Sequence, residues 1–151
     1  MLRNALSESL KDAMRSQDKI AISTLRLVLA ALKDRDIAAR AYGNSNDLSD
    51  VEILSMLETM VKQRRESIKM YQTGGRQELA QQEHDEIAII KRFMPKQLND
   101  AEIETAVMTA IAEVGADSLK QMGKVMARLR QNYAGQMDFG KAGAIAKQRL
   151  A

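Results

Sequence analysis

Residues 49–75, SDVEILSMLETMVKQRRESIKMYQTGG, decide the fold class. Ser49 followed by Glu52 has the capping-box pattern, in which each side chain satisfies a backbone N–H that the first helical turn leaves open. Met56, Leu57, Met60, Val61 and Ile68 then recur at helical spacing, and Gly74-Gly75 supplies the stop. The same reading extends in both directions. Upstream, Leu2, Leu6, Leu10, Ala13 and Met14 make an amphipathic helix ending near Gln17. Ile22, Leu25, Val28, Leu29 and Leu32 place a second helix from about Lys19 to Arg40. Leu27, Ala30 and Ala31 make the far side of that helix apolar too, so it is expected to be central. Tyr42 to Leu48, with Gly43, Asn44, Ser45 and Asn46, reads as a polar loop. Downstream, a fourth helix runs from about Arg76 to Met94 and stops at Pro95, the only proline. Asn99 and Glu102 repeat the capping-box pattern for a helix that reaches Gly115. Ser118 is expected to cap a sixth helix to about Tyr133, and Asp138 a seventh, with Gly135 closing the turn between them. No convincing period-two apolar run occurs. The predicted fold is all-α, an N-terminal helical bundle over 1–94 followed by a small C-terminal three-helix domain over 95–151.

Apolar residues make up 45% of the 151 and charged residues 28%, a composition that supports a packed core. Arg26 and Lys33 interrupt the longest apolar stretch near the N-terminus, so no spanning helix and no membrane partner are expected. Glu8 and Asp12 within the first pattern argue for an amphipathic helix rather than a secretion signal. Zero cysteines exclude disulfides, thiolate zinc sites and a cysteine nucleophile, and with the first helix they lead to an expected cytoplasmic location. With 3% aromatics and no tryptophan, the chain lacks stacking platforms for bases, so a nucleic acid would be held by charge and shape.

The net charge of +3 is unevenly spread. Residues 100–117 carry Asp100, Glu102, Glu104, Glu113 and Asp117 with no Lys or Arg, whereas residues 118–151 carry seven Lys and Arg against Asp138 alone. Within the second stretch Lys120, Lys124 and Arg128 recur every fourth residue, opposite Met122, Val125, Met126 and Leu129. The resulting cationic ridge has two readings. It can contact phosphate oxygens, each contact adding salt-dependent affinity, or it can be solvated surface partly paired with the acidic fifth helix.

A second constellation joins the third and fourth helices. Arg64 falls beside the Leu57, Val61 and Ile68 stripe, while Glu58, Lys62, Arg65 and Lys69 line another side. On the fourth helix Glu83 and Glu86 lie among Leu79, Ile87 and Ile90. Folding back at Gly74-Gly75 sets Arg64 level with Glu86 and Arg65 level with Glu83. The favoured reading is a structural ion-pair cluster that fixes register, in which neutralising either carboxylate lowers stability. The other makes the carboxylates an acid and base, or the arginines an anion site.

Other signatures lead away from catalysis. Gly135 to Lys141 follows the opening of a phosphate-loop pattern, but Ala142 replaces the magnesium-holding Ser or Thr and no strand precedes it. Gly135 and Asp138 serve better as helix stop and start, while Gly140 and Gly143 would let the last helix approach a neighbour closely. His84, the only histidine, has no second ligand at metal spacing, so no metal and no cofactor are expected. No Gly-x-Ser-x-Gly and no serine–histidine pairing suggests a triad. The ten methionines, Met56, Met60, Met122 and Met126 among them, read as core filler.

Taken in order, Thr24-Leu25-Arg26-Leu27, Lys62-Gln63-Arg64-Arg65-Glu66-Ser67, Tyr71, Gly75-Arg76, Glu83, Glu86-Ile87, Pro95, Gln97-Leu98, Met122-Gly123-Lys124-Val125-Met126 and Gly135 resemble the GatB/YqeY family over nearly the whole chain. The resemblance is to a stand-alone YqeY-like protein, similar to the tail of the B subunit of the glutamine-dependent tRNA amidotransferase. It implies two helical parts and, because the related tail helps hold tRNA, makes Lys120, Lys124, Arg128 and Lys141 the candidates for contact with tRNA or another structured RNA. One departure is that Gln136 and Met137 precede Asp138, where the family often has a basic residue. Carbon–nitrogen ligase activity with glutamine as amido-N-donor would be inherited from the larger enzyme, since neither an amidase serine–lysine centre nor a kinase-like ATP site is visible. The leading expectation is therefore a non-catalytic RNA-binding module. The alternatives are an adaptor for a protein partner in tRNA aminoacylation or amidation, and an accessory to the ligase reaction.

Overall fold

A computed structural model describes residues 1–43 and 47–151; Asn44, Ser45 and Asn46 of the expected loop lie outside the described residues. The described chain is all-α. Its helices are α1 (Leu2–Ser16), α2 (Lys19–Ala41), α3 (Asp50–Thr73), α4 (Gln77–Lys91), α5 (Asp100–Val114), α6 (Met122–Tyr133) and α7 (Phe139–Leu150), with a 3₁₀ turn at Leu119–Gln121. They gather into two compact units, Met1–Met94 and Pro95–Ala151.

Local chemistry sets the helix ends. Asp18 accepts from the Ala21 N–H at 3.1 Å to start α2. In α3, Ser49 Oγ accepts from the Glu52 N–H at 3.3 Å, and a Glu52 carboxylate oxygen accepts from the Ser49 N–H at 2.9 Å. Asn99 and Glu102 repeat this exchange at 2.8 and 3.1 Å for α5, and α5 stops at Gly115, where φ is +69°. The regular part of α4 ends at Lys91 rather than Met94. Phe93 and Met94 donate instead to Ile90 and Lys91, the tighter i−3 pattern that precedes Pro95.

In the first unit α3 and α4 pack along each other, α1 lies on α2, and α2 also meets α4. Leu6, Leu25, Val28, Ile53, Met56, Leu57 and Ile90 are buried at the centre of this unit. The outer side of α2 departs from the expectation of a central helix, because Leu27 is 52% exposed. In the second unit α5, α6 and α7 enclose Val107, Val125, Leu129 and Met137. Close approach of α7 comes from Ala142 and Ala146, both fully buried. The two glycines of α7 are not what permits it. A Cβ at Gly143 would make only ordinary contact with Met122 and Met126 at 3.8 Å, and one at Gly140 would meet the capping Asp138 carboxylate at 3.0 Å.

Candidate nucleic-acid interface

The second unit carries most of the candidate cations. Helix α6 buries Val125, Met126 and Leu129, which turns Lys124 and Arg128 outward. Ser118 is a cap as expected, but of the 3₁₀ turn that leads directly into α6, where it forms a capping box with Gln121. The Gln121 side chain folds back to accept from the N–H groups of Asp117 at 2.6 Å and Ser118 at 3.3 Å. The α-helix begins only at Met122, so Lys120 lies on the 3₁₀ turn. All four candidates, Lys120, Lys124, Arg128 and Lys141, are exposed.

Their electrostatic surroundings differ. Arg128 lies 3.8 Å from Glu113, and Lys141 lies 3.5 Å from Asp100. With Arg149 bonded to Glu104 at 2.8 Å, these pairs lace α5 to α6 and α7, so part of the polarity in the sequence is cancelled inside the unit. Arg130 is held over the Phe139 ring at 5.7 Å. Lys120 and Lys124 have no carboxylate partner among the described residues. Between them in sequence is Gly123, also exposed, where an added Cβ would find nothing within 4 Å. Two free ammonium groups thus border a stretch of helix whose backbone another chain can approach closely. Met137, which precedes the capping Asp138, is buried at 2% exposure, and the carbonyl of its neighbour Gln136 accepts from the Leu98 N–H at 2.8 Å.

In the first unit Arg64 holds the α3–α4 seam. Its Nε donates to Glu86 at 3.0 Å and lies 4.0 Å from Glu83, while an η nitrogen donates to the Met60 carbonyl at 3.2 Å. Arg65 does not join them. It is exposed and makes no ion pair among the described residues, so the expected Arg65–Glu83 pairing is not formed. One helical position, about 100° of rotation, separates the arginine that faces the seam from the one that faces water. Burial, then the neighbouring Glu86 carboxylate, push the Glu83 carboxyl above the ordinary range, against the pull of Arg64.

Sequence reading missed a second ion pair. Asp36 is buried and takes a two-pronged bond from Arg3 at 2.8 and 3.0 Å, and it also accepts from the Leu48 N–H at 3.2 Å. The hydrogen bond from Arg3 holds its carboxyl below the ordinary carboxylate range, against desolvation, with Leu48 adding to the effect. Its signal was available, because Asp36 follows Leu25, Val28 and Leu32 on the buried stripe of α2.

A family model described as Yqey-like protein matches residues 3–150. The chain belongs to this YqeY-like family. Among curated relatives it is 27% identical to "Altered inheritance of mitochondria protein 41, mitochondrial" of Clavispora lusitaniae, over 99% of this chain and 85% of the relative. The protein of the same name in Lachancea thermotolerans is 28% identical over 72% of this chain and 57% of its own length. That of Eremothecium gossypii is 33% identical over 59% and 46%. The chain therefore spans only about half the length of several relatives that it matches. These names correct the expected cytoplasmic location, since YqeY-like relatives are named as mitochondrial. A cysteine-free composition and an amphipathic first helix do not distinguish one compartment from another. Among the described residues no helix is long and apolar enough to cross a membrane.

Proposed function

We propose that the C-terminal unit is a non-catalytic module that binds the sugar–phosphate backbone of tRNA or another structured RNA. Lys120 and Lys124 are its principal contacts. The observation that carries the reading is their freedom from carboxylate partners among the described residues, on either side of an open glycine. Arg128 and Lys141 are secondary contacts, because each would first leave a long, exposed ion pair worth only about 0–1 kcal/mol. The scarcity of aromatic side chains favours recognition of shape and charge over stacking on unpaired bases.

Fluorescence anisotropy with a labelled tRNA transcript, over a series of salt concentrations, tests this. Native protein should bind with an affinity that falls steeply as salt rises. Replacing Lys120 and Lys124 together with alanine should weaken binding at low salt and flatten the log–log slope by about 0.7–0.9 for each phosphate no longer neutralised. Lys69→Ala, on the other unit, should leave both quantities unchanged. Equal affinity of the double variant and the native chain would remove this surface from consideration.

A further inference from the structure

Helix α2 has a second face that the first unit does not use. Its inner stripe, Ala21, Thr24, Leu25, Val28, Leu32 and Asp36, is buried. On its outer side Ile20, Leu27 and Ile37 are 42%, 52% and 53% exposed, although all three are large aliphatic residues. They belong to a seven-residue repeat. With Ile20, Leu27 and Asp34 at the first core position of a heptad, Ser23, Ala30 and Ile37 occupy the second. The position just before the first core residue is then Lys19, Arg26, Lys33 and Arg40, basic four times in succession. Coiled coils use that flanking position for salt bridges that choose the partner. Successive members are about 10.5 Å apart along one helix, so they meet charges repeated at the same interval on another. Arg40 is engaged by Asp47 at 3.0 Å. Lys19, Arg26 and Lys33 are exposed and make no ion pair among the described residues.

We propose that this face docks a helix of another protein, carrying aliphatic residues at heptad spacing flanked by Asp or Glu every seventh residue. Charge complementarity selects that occupant over a second copy of this chain. In an antiparallel self-pair the basic row would face itself. In a parallel self-pair it would face Thr24, Ala31 and Ala38, none of which is acidic. The small Ser23 and Ala30 let a partner helix come close, and the aliphatic residues set among the cations favour a protein over a nucleic-acid backbone. Asp34 at a core position adds a register condition, because its carboxylate needs a Lys, Arg or Asn opposite it.

The probe is a 21-residue helical peptide, about three heptads long, with Leu at both core positions except one Lys placed to meet Asp34, and Glu at both flanking positions, whose mutual repulsion keeps it from pairing with itself. A twin carries Lys in place of the flanking Glu. Anisotropy with the full chain should show the acidic peptide binding at least about tenfold more tightly than its twin, a difference of about 1.4 kcal/mol. The order should reverse in a Lys19→Glu, Arg26→Glu, Lys33→Glu variant. Leu27→Ser should weaken binding of the acidic peptide in the native background. All these side chains are exposed, so circular dichroism should show each variant folded. Equal affinity for both peptides, or no affinity for either, would overturn the proposal. So would indifference to Leu27→Ser, or a triple variant that keeps its preference for the acidic peptide while losing tRNA, since the stripe would then be a nucleic-acid contact. The tRNA assay on the Lys120 and Lys124 variant reads the other unit, so failure of either proposal is recognised separately.

Discussion

A single guanidinium shows how position on a helix divides the work of similar side chains. Arg64 satisfies a carboxylate and a main-chain carbonyl at the seam, while its neighbour Arg65 stays in water. The two glutamates beside Arg64 are not equivalent either. Glu86→Gln should lower stability by about 2 kcal/mol, the scale of a hydrogen bond to a charged group, read as a lower denaturation midpoint. Glu83 has a raised carboxyl pKa in the fold, so its contribution is fully present below the unfolded pKa and is lost as pH rises through the folded one. Glu83→Gln should therefore leave stability at neutral pH unchanged or higher, and lose that advantage in acid. A loss at pH 7 as large as that of Glu86→Gln would contradict this assignment. Thr24 offers a further case, since its hydroxyl is fully buried without a hydrogen-bond partner among the described residues. Thr24→Val should raise the melting temperature, by a margin worth about 1 kcal/mol or more.

Among the elements, those with strong end signals were legible in advance. The capping boxes at Ser49 and Asn99, the Asp138 cap and the stop at Gly115 follow from side chains acting within a few residues of themselves, which a linear reading captures. The Ser118 cap was legible too, but the 3₁₀ turn between it and α6 was not, because the Gln121 side chain that completes the box also reaches back to the Asp117 N–H. Which apolar side of α2 faces inward was also hidden, since two stripes of similar character compete and only packing against α1 and α4 selects one. The candidate cations were identifiable from spacing, but their partners were not, because Glu113 and Asp100 reach them across the fold. In α7, Gly143 has room for a methyl group, and glycine inside a helix costs about 0.5–1 kcal/mol relative to alanine. Gly143→Ala should accordingly raise the melting temperature; a decrease would mean that the Met122 and Met126 methyls cannot accommodate it.

For the whole molecule, each unit has a core of its own, and the 57 residues from Pro95 onward are few for independent stability. Leu129, fully buried in the second core, is its weak point. Leu129→Ala should remove about 2–5 kcal/mol and unfold that unit first. Hydrogen exchange should then show α5 to α7 losing protection while α3 and α4 keep theirs; simultaneous loss throughout would mean that the chain melts as one body. Linear sequence presents the acidic and basic halves of this unit as a contrast, and the fold turns much of that contrast into internal lacing between helices. Asp36 has a longer reach than its single charge suggests. It ties the first turn of α1 and the segment entering α3 to the C-terminal third of α2. Its folded pKa is lowered, so the tie holds at pH values above the unfolded one and is surrendered as acidity climbs through the folded one. Protons would thus act as a reagent that unbuckles two distant stretches of chain in a single event, and Asp36→Asn should reproduce at neutral pH the loosened state that acid produces in the native protein.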